Sequence, residues 1–228
     1  MEQELIYVVK EGDNVDQIAR TAGIPVEELI WANQLEAPYR LAVGQALFVG
    51  TQSSVQAGRP SLYTFGYVYP FIDRQILDET LPRLTDLYVF SYGFTAEGEL
   101  IPPQTEDGPV IEAARAAGVR PVMVLTPLGP DGRFNNHLVT ELFASERAVR
   151  RLIWRLGAMM TEKEYEGLDI DFEYVSAGDR RDFAEFIGLC ARTFNPFGLT
   201  VTAALAPKTS DDQPGLLYEG MDYKAIGE

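Results

Sequence analysis

Short apolar runs of the extended type alternate with helical stripes from residue 61 to the end of the chain. The runs are rich in β-branched and aromatic residues, which is typical of strands. Between them, apolar residues recur every three or four positions, as on one face of a helix. This alternation predicts an α/β fold with a parallel sheet and right-handed crossovers. The predicted strands cover 62–69, 86–92, 120–126, 165–175 and 199–205, and the predicted helices cover about 73–84, 110–117, 145–160 and 179–194.

The first 50 residues show a different pattern. A short extended run is followed by two helical stripes and a second extended run, which predicts a βααβ unit. The first stripe begins at Asn14 and ends at Gly23, and the second stops near Asn33. The next ten residues are polar and low in branched apolar side chains, so they predict a flexible linker. We therefore expect three segments, namely a small domain at 1–50, a linker at 51–60 and a larger domain at 61–228.

The fourth predicted strand of the larger domain carries three carboxylates that alternate with apolar residues. Because a strand sends successive side chains to opposite faces, Asp169, Asp171 and Glu173 are predicted to line one face. The other face is apolar. Three neighbouring acids repel one another on a half-buried strand, which favours a functional use of this row.

Three explanations of the acidic row are open. It could be a solvated edge strand, or its oxygens could hold a hard divalent cation. The sequence offers no nearby histidine and no second carboxylate cluster to complete a metal site. Catalytic carboxylates explain the row best, because packed acids cannot all ionise and one is kept protonated near neutral pH, as a general acid must be. No metal and no cofactor are expected.

Composition and charge narrow the range of partners. The net charge of −15 argues against nucleic acid or an anionic membrane surface. A hydrophobic fraction of 46% is sufficient for a core, and the single cysteine, Cys190, excludes an internal disulfide. No apolar run approaches the ~20 residues of a membrane span, and residues 1–4 show no secretory signal. The oligomeric state cannot be inferred from the sequence.

Residues 166–173, Glu-Gly-Leu-Asp-Ile-Asp-Phe-Glu, resemble the D-G-x-D-x-D-x-E signature of family 18 glycoside hydrolases. Glu166 stands in place of the first Asp. The resemblance implies a (β/α)8 barrel of the TIM type, with this motif at the end of the fourth strand. Ligands of such barrels bind at the carboxyl ends of the strands, which is where Glu173 falls.

The same resemblance implies roles for individual side chains. Glu173 would be the proton donor, Asp171 would hold the 2-acetamido group of the substrate, and Asp169 would share a proton with Asp171. Tyr67, in a G-Y element, and Tyr174 are further candidates for contact with the sugar. A place in the barrel core is the alternative for both tyrosines.

The resemblance covers only part of a barrel. A complete (β/α)8 barrel takes about 250 residues, whereas residues 61–228 contain about five βα units, so we expect an incomplete barrel and a fragment of a longer protein. The third predicted strand runs into Thr126-Pro127-Leu128-Gly129 rather than the family's S-x-G-G pattern, which disfavours chitin-type contacts. His137, the only histidine, is interpreted mainly as a surface residue.

The first unit resembles the lysin motif (LysM). This resemblance implies a binder of N-acetylglucosamine-containing glycans, with the sugar between the loop that starts at Gly12 and the segment after Asn33. Gly12, Asp13 and Asn33 are the candidate binding residues, and a helix cap is the alternative role of Asp13. The matching residues are Tyr7-x-Val9, Gly12-Asp13, Ile18-Ala19, Leu29, Ala32-Asn33 and Gly44-Gln45-x-Leu47.

A LysM unit joined to such a barrel, together with the stretch Phe90-Ser91-Tyr92-Gly93-Phe94, resembles the spore cortex-lytic N-acetylglucosaminidases. The resemblance implies hydrolysis of β-1,4 bonds at N-acetylglucosamine in peptidoglycan, by substrate-assisted retaining catalysis. It places the protein in the spore cortex or coat, or in the cell wall. A chitinase, a non-catalytic peptidoglycan or chitin binder, and a spore-coat structural protein are the alternatives.

Overall fold

The computed structural model describes residues 6–50 and 62–227, so the predicted linker at 51–60 lies outside the described residues. The chain divides into two compact units, Met1–Leu62 and Tyr63–Glu228. Within the described ranges, no helix is long and apolar enough to cross a membrane.

The first unit has the βααβ order that its pattern predicts. Its elements are β1 (Ile6–Val8), α1 (Val15–Ala22), α2 (Val26–Ala32) and β2 (Ala46–Phe48). β1 and β2 pair antiparallel. Apolar side chains from the helices and the strand ends close a small core of Val9, Val15, Ile18, Ala19, Ile24, Leu29, Leu47 and Val49.

Local capping fixes both ends of α1. The side chain of Asn14 accepts a hydrogen bond of 2.9 Å from the backbone N–H of Gln17, as an N-cap residue does. The alternative role of Asp13 as the helix cap is therefore wrong. Gly23 ends the helix with φ 72°, a left-handed conformation that glycine adopts without a steric penalty.

The second unit is a mainly parallel sheet with helices between its strands. Its strands are β3 (Phe65–Val68), β4 (Asp86–Phe94), β5 (Leu100–Ile101), β6 (Arg120–Leu125), β7 (Gly167–Ile170) and β8 (Thr200–Ala203). Its helices are α3 (Arg74–Thr80), α4 (Gly108–Ala116), α5 (His137–Phe143), α6 (Glu146–Lys163), α7 (Arg180–Phe194) and α8 (Tyr223–Gly227). The order in the sheet is β3-β4-β6-β7-β8, with every pair parallel, and β5 pairs antiparallel with the end of β4.

The two faces of this sheet have different surroundings. One face packs against the helices and contributes residues such as Val89 and Met123 to the main core. The opposite face carries a smaller cluster that includes Tyr88 and Val124. Asp169 in β7 is the register partner of Val124 in β6. Because paired residues of neighbouring strands share a face, Asp169 points to this second face.

Several boundaries predicted from the pattern are wrong. β7 ends at Ile170 instead of continuing to Val175, because the chain turns at Tyr174, which has φ 52°. β3 and β8 are also shorter than the extended runs that predict them. α5 and the two-residue β5 have no counterpart in the prediction, because elements this short show little periodicity.

A buried carboxylate connects β4, α4 and the segment after α6. Asp107 is 1% exposed and accepts hydrogen bonds from the hydroxyls of Tyr92 (2.5 Å) and Tyr165 (2.8 Å) and from Nζ of Lys163 (2.9 Å). Burial acts to raise the pKa of Asp107, but the hydrogen bonds from Tyr92, Lys163 and Tyr165 outweigh it and hold this pKa below its usual range. The ionised carboxylate therefore stabilises the fold above the pKa of the unfolded chain, and this contribution is lost as the pH falls through the folded pKa.

We predict that Asp107→Asn lowers the free energy of unfolding at pH 7 by roughly 2–4 kcal/mol, because the ammonium of Lys163 loses its buried anion. Urea denaturation measures the loss. Glu106→Gln is the matched control, because Glu106 contacts the same ammonium from an 82% exposed side chain and is expected to cost less than about 0.5 kcal/mol.

The pH dependence gives a second check on Asp107. The difference in stability between wild type and Asp107→Asn should be constant above about pH 5 and should narrow as the pH falls through the unfolded pKa of ~3.9 towards the lowered folded pKa. Equal losses in the Asp107 and Glu106 variants at pH 7 would contradict the assignment.

Candidate active site

The three acids continue to alternate with apolar residues beyond the end of β7. Asp169 lies within the strand and is 2% exposed, Asp171 follows the strand and is partly buried, and Glu173 lies in the turn and is exposed. Phe172 keeps the alternation going because its ring is fully buried. It packs against Phe94, Phe183 and Phe186, with ring centroids 5.4–5.8 Å apart.

Asp169 is held by two hydroxyl groups from other strands. Tyr67 in β3 donates a hydrogen bond of 2.9 Å to Oδ2, and Thr202 in β8 donates one of 2.7 Å to Oδ1. Burial raises the pKa of Asp169, and the hydrogen bonds from Thr202 and Tyr67 offset only part of this effect. The sequence predicts Tyr67 as a sugar contact, whereas in the structure its hydroxyl donates a hydrogen bond to Asp169.

Asp171 has a pKa of about 6, raised first by burial and then by the negative charges of Asp169 and Glu173. This carboxyl therefore takes up a proton only slightly below neutral pH. Among the described residues no hydrogen bond joins Asp169 to Asp171. The proton sharing that the resemblance implies is thus an electrostatic coupling in this structure, without a direct bond between the two carboxyls.

A cavity of about 250 Å³ lies beside the outer two acids, at the carboxyl edge of the sheet. Asp171, Glu173 and Tyr174 form one part of its lining. The remainder consists of Phe90, Pro127, Phe134 and Asn136. The cavity thus brings two carboxyls together with three aromatic rings, a combination that suits a carbohydrate ring, which has polar edges and apolar faces.

Aromatic rings extend from this cavity along the edge of the sheet. Phe90 lies 6.3 Å from Phe134 and 5.1 Å from Tyr69, between ring centroids. Tyr69 stacks on Phe71 at 5.0 Å and an interplanar angle of 18°. Tyr69, Phe71 and Phe134 are all more than half exposed.

Sequence reasoning misses Phe134 and Asn136. Both belong to the loop between β6 and α5, which shows no periodic pattern. The loop is held in place by backbone contacts, including one of 2.8 Å between Asn135 N and Pro127 O. The only sequence feature that could have marked it is an aromatic residue within a polar loop at the carboxyl end of a strand. His137 next to it is exposed at the start of α5.

The candidate residues of the first unit have identifiable structural contacts. Gly12 has φ 85°, in a turn. Asp13 accepts hydrogen bonds of 2.8 Å from the backbone N–H of Lys10 and from the hydroxyl of Tyr7, and these two bonds lower its pKa. Its role is to close the turn before α1, and a sugar contact stays a prediction.

Asn33 connects α2 to β2 through its side chain. Its Nδ2 donates to the carbonyls of Leu29 and Phe48, and its Oδ1 accepts from the backbone N–H of Phe48, all at 2.7–2.9 Å. These bonds use every polar atom of the side chain. Its predicted contact with a glycan remains untested.

No group of three or more histidine, cysteine or carboxylate side chains is arranged to hold a metal ion within residues 6–50 and 62–227. The three acids of the row are therefore spread along the chain rather than converging on one point. Their arrangement suits proton transfer and charge stabilisation.

Comparison with known proteins agrees with this picture. The LysM domain family profile matches residues 7–50. Over 222 residues the chain is 30% identical to YdhD of Bacillus subtilis (strain 168), whose name describes it as a sporulation-specific glycosylase. That match covers 97% of this chain and 51% of YdhD. The crystal structure of the Bacillus cereus spore cortex-lytic enzyme SleL superposes with a TM-score of 0.71 at 27% identity, over 98% of this chain and 51% of SleL.

Residues 7–50 form a LysM domain, and the chain as a whole is similar to YdhD and to the cortex-lytic enzyme SleL. A chitinase from Chromobacterium violaceum ATCC 12472 shares the fold alone, with a TM-score of 0.65 at 18% identity, over 73% of this chain and 51% of the chitinase. The predicted fold class, a TIM-type α/β barrel preceded by a LysM domain, is confirmed, and so is the resemblance to the cortex-lytic enzymes. The chain spans about half the length of the relatives it matches.

The turn that carries Glu173 in the second unit lies close to the backbone of Gly220. A Cβ atom on Gly220 would lie only 2.2 Å from the carbonyl oxygen of Val175. We therefore predict that Gly220→Ala displaces the Glu173–Val175 turn and costs roughly 1–3 kcal/mol of stability. Backbone amide chemical shifts of the turn and the urea midpoint measure the two effects.

Gly227→Ala is the matched control for this substitution, because a Cβ atom there would have no neighbour within 4 Å. It should leave the amide shifts of the turn unchanged. Unchanged shifts in the Gly220 variant as well would mean that this close approach does not position the glutamate.

Proposed function

We propose that the second unit hydrolyses β-1,4 glycosidic bonds at N-acetylglucosamine in peptidoglycan, and that the peptidoglycan of the spore cortex is its substrate. The observation that carries this proposal is the cavity that Glu173 and Asp171 share with aromatic rings. The homology to YdhD and SleL, whose names describe a sporulation-specific glycosylase and a spore cortex-lytic enzyme, supports the same conclusion.

The proposed reaction needs one proton donor and one group that controls the acetamido substituent. Glu173 donates a proton to the departing glycosidic oxygen while the acetamido oxygen of the substrate attacks the anomeric carbon. The intermediate is cyclic and positively charged. Glu173 then accepts a proton from the water that opens it, which restores the starting state of the enzyme.

Asp171 is suited to the acetamido group because it lines the same cavity as Glu173. When ionised, it accepts the N–H of that group and stabilises the positive charge of the intermediate. Asp169 is buried beneath it and does not belong to the lining of this cavity. The charge of Asp169 acts on Asp171 through space, and we assign Asp169 no direct contact with the sugar.

The cavity of about 250 Å³ is smaller than the ~300–1,000 Å³ typical of small-molecule sites. We propose that it receives one sugar unit beside the acids, with the neighbouring units of the glycan on the exposed rings of Tyr69, Phe71 and Phe134. Aromatic faces bind the apolar faces of sugars while leaving hydroxyls free for water.

The LysM domain supports a second role, which is binding of the same glycan. We propose that it retains the protein on peptidoglycan in the spore cortex or the cell wall, through contacts near Gly12, Asp13 and Asn33. A purely non-catalytic anchoring protein is the second candidate function, and the LysM match is the observation that favours it.

A single substitution distinguishes the hydrolase function from the anchoring function. We predict that wild-type chain releases new reducing ends from purified spore-cortex peptidoglycan, and that Glu173→Gln reduces the rate by about 100-fold or more through loss of the proton donor. Mass spectrometry of the released fragments identifies the cleaved bond, and sedimentation with peptidoglycan measures binding, which should be unchanged.

Glu166→Gln is the matched control, because Glu166 is an exposed glutamate at the opposite end of β7. This variant should cleave peptidoglycan at the wild-type rate. Binding without any cleavage by wild type would contradict the hydrolase proposal and support anchoring. Reducing ends at muramic acid in place of N-acetylglucosamine would contradict the proposed bond specificity.

A further inference from the structure

Thr202 contacts the acidic row although no sequence motif marks it. It lies in β8 and is the register partner of Asp169 in β7. Its Oγ1 is 2.7 Å from Oδ1 of Asp169 and 3.5 Å from the hydroxyl oxygen of Tyr88. A threonine hydroxyl has one hydrogen to donate, so the shorter contact with the carboxylate takes it.

The two hydroxyl donors distinguish Asp169 from Asp171. Both oxygens of Asp169 accept hydrogen bonds, from Thr202 and Tyr67, and donors of this kind favour the ionised form of a carboxyl. No side-chain hydrogen bond reaches the carboxyl of Asp171 in the part of the chain that the structure describes. Asp171 also faces the negative charges of Asp169 and Glu173, which favour its protonated form.

We propose that Thr202 is a positioning residue whose hydroxyl holds Asp169 as the fixed anion of the acidic row, so that the row's exchangeable proton resides on Asp171. The catalytic meaning of this arrangement rests on the proposed hydrolase function. In that reaction Asp171 gives its proton to solvent water as the acetamido group arrives, and the resulting anion accepts the acetamido N–H and stabilises the positive intermediate.

Other groups near Asp169 do not supply an alternative explanation. β3 contributes Tyr67 and β4 contributes Tyr88, and both phenols are neutral because burial, followed by the charges of nearby carboxylates, raises their pKa. β6 places the apolar Val124 opposite Asp169. Among residues 62–227, the other charges that act on the row are those of its own carboxyls, Asp171 and Glu173. Thr202 and Tyr67 are therefore the donors that can set the charge of Asp169.

The titration of the two carboxyls tests the proposal without any need for turnover. Carbon-13 NMR of aspartate-labelled full chain follows each carboxyl with pH, and Asp169→Asn and Asp171→Asn assign the two signals. We expect Thr202→Val to raise the titration midpoint of Asp169 by about one pH unit, a tenfold change in proton affinity. The midpoint of Asp171 should fall, because its neighbour is then less often charged.

Two variants of the same strand control this experiment. Thr202→Ser retains the hydroxyl and should restore both wild-type midpoints. Thr200→Val removes a hydroxyl that contacts Arg120 at 3.3 Å and not the acidic row, so it should change neither midpoint. If Thr202→Val does not fold, as judged by its amide spectrum, Thr202→Ala removes the same hydroxyl with a smaller side chain.

Unchanged midpoints in a folded Thr202→Val or Thr202→Ala chain would overturn the proposal, as would an equal shift in Thr200→Val. The result is independent of the hydrolase assay. A chain that cleaves peptidoglycan but shows no shift in the Thr202 variants would contradict only this inference, whereas a shift in a chain without turnover would leave it intact and contradict the proposed function.

Discussion

Burial of Leu168, Ile170 and Phe172 is the constraint on which the candidate site depends. All three side chains are inaccessible to solvent, and fully burying residues of this size contributes about 1.5–3 kcal/mol each. Since they alternate with the acids, the carboxyls must point to the other face. Phe172 extends this constraint past the end of the strand, because its ring is fixed between aromatic neighbours of β4 and α7. The result is a gradient from a buried Asp169 to an exposed Glu173.

Hydrogen-bond donors then give Asp107, Asp169 and Asp171 different acidities. Asp107 has three donors, one of them the cation Lys163, and its pKa is lowered. Asp169 has two neutral hydroxyls and no cation, and its pKa is raised. Asp171 has no such donor within the described ranges, and its pKa rises to about 6. The first arrangement stabilises a fold, whereas the last lets the charge of Asp171 change at a pH slightly below neutral.

The elements with strong periodicity could be predicted from the sequence, and the site could be predicted only in part. α6 begins where the pattern predicts a helix, and the side chain of Ser145 caps it by accepting a hydrogen bond from the backbone N–H of Ala148. The five parallel strands follow from their apolar runs. The end of β7 could not be predicted, because alternation continues through the turn at Tyr174. Thr202 lies beside Asp169 because of the register between β7 and β8, and Phe134 lies near the outer acids because of the conformation of an irregular loop. Neither position is marked by a periodic pattern in the sequence.

The central claim is that the outer acids face a cavity that receives a sugar. Backbone amide shifts of the full chain, titrated with a tetrasaccharide purified from cortex peptidoglycan, test this claim most directly. The account predicts that Asp171, Glu173, Tyr174 and the loop residues Phe134 and Asn136 shift on binding, in addition to residues of the LysM domain. Shifts confined to residues 6–50 would contradict it.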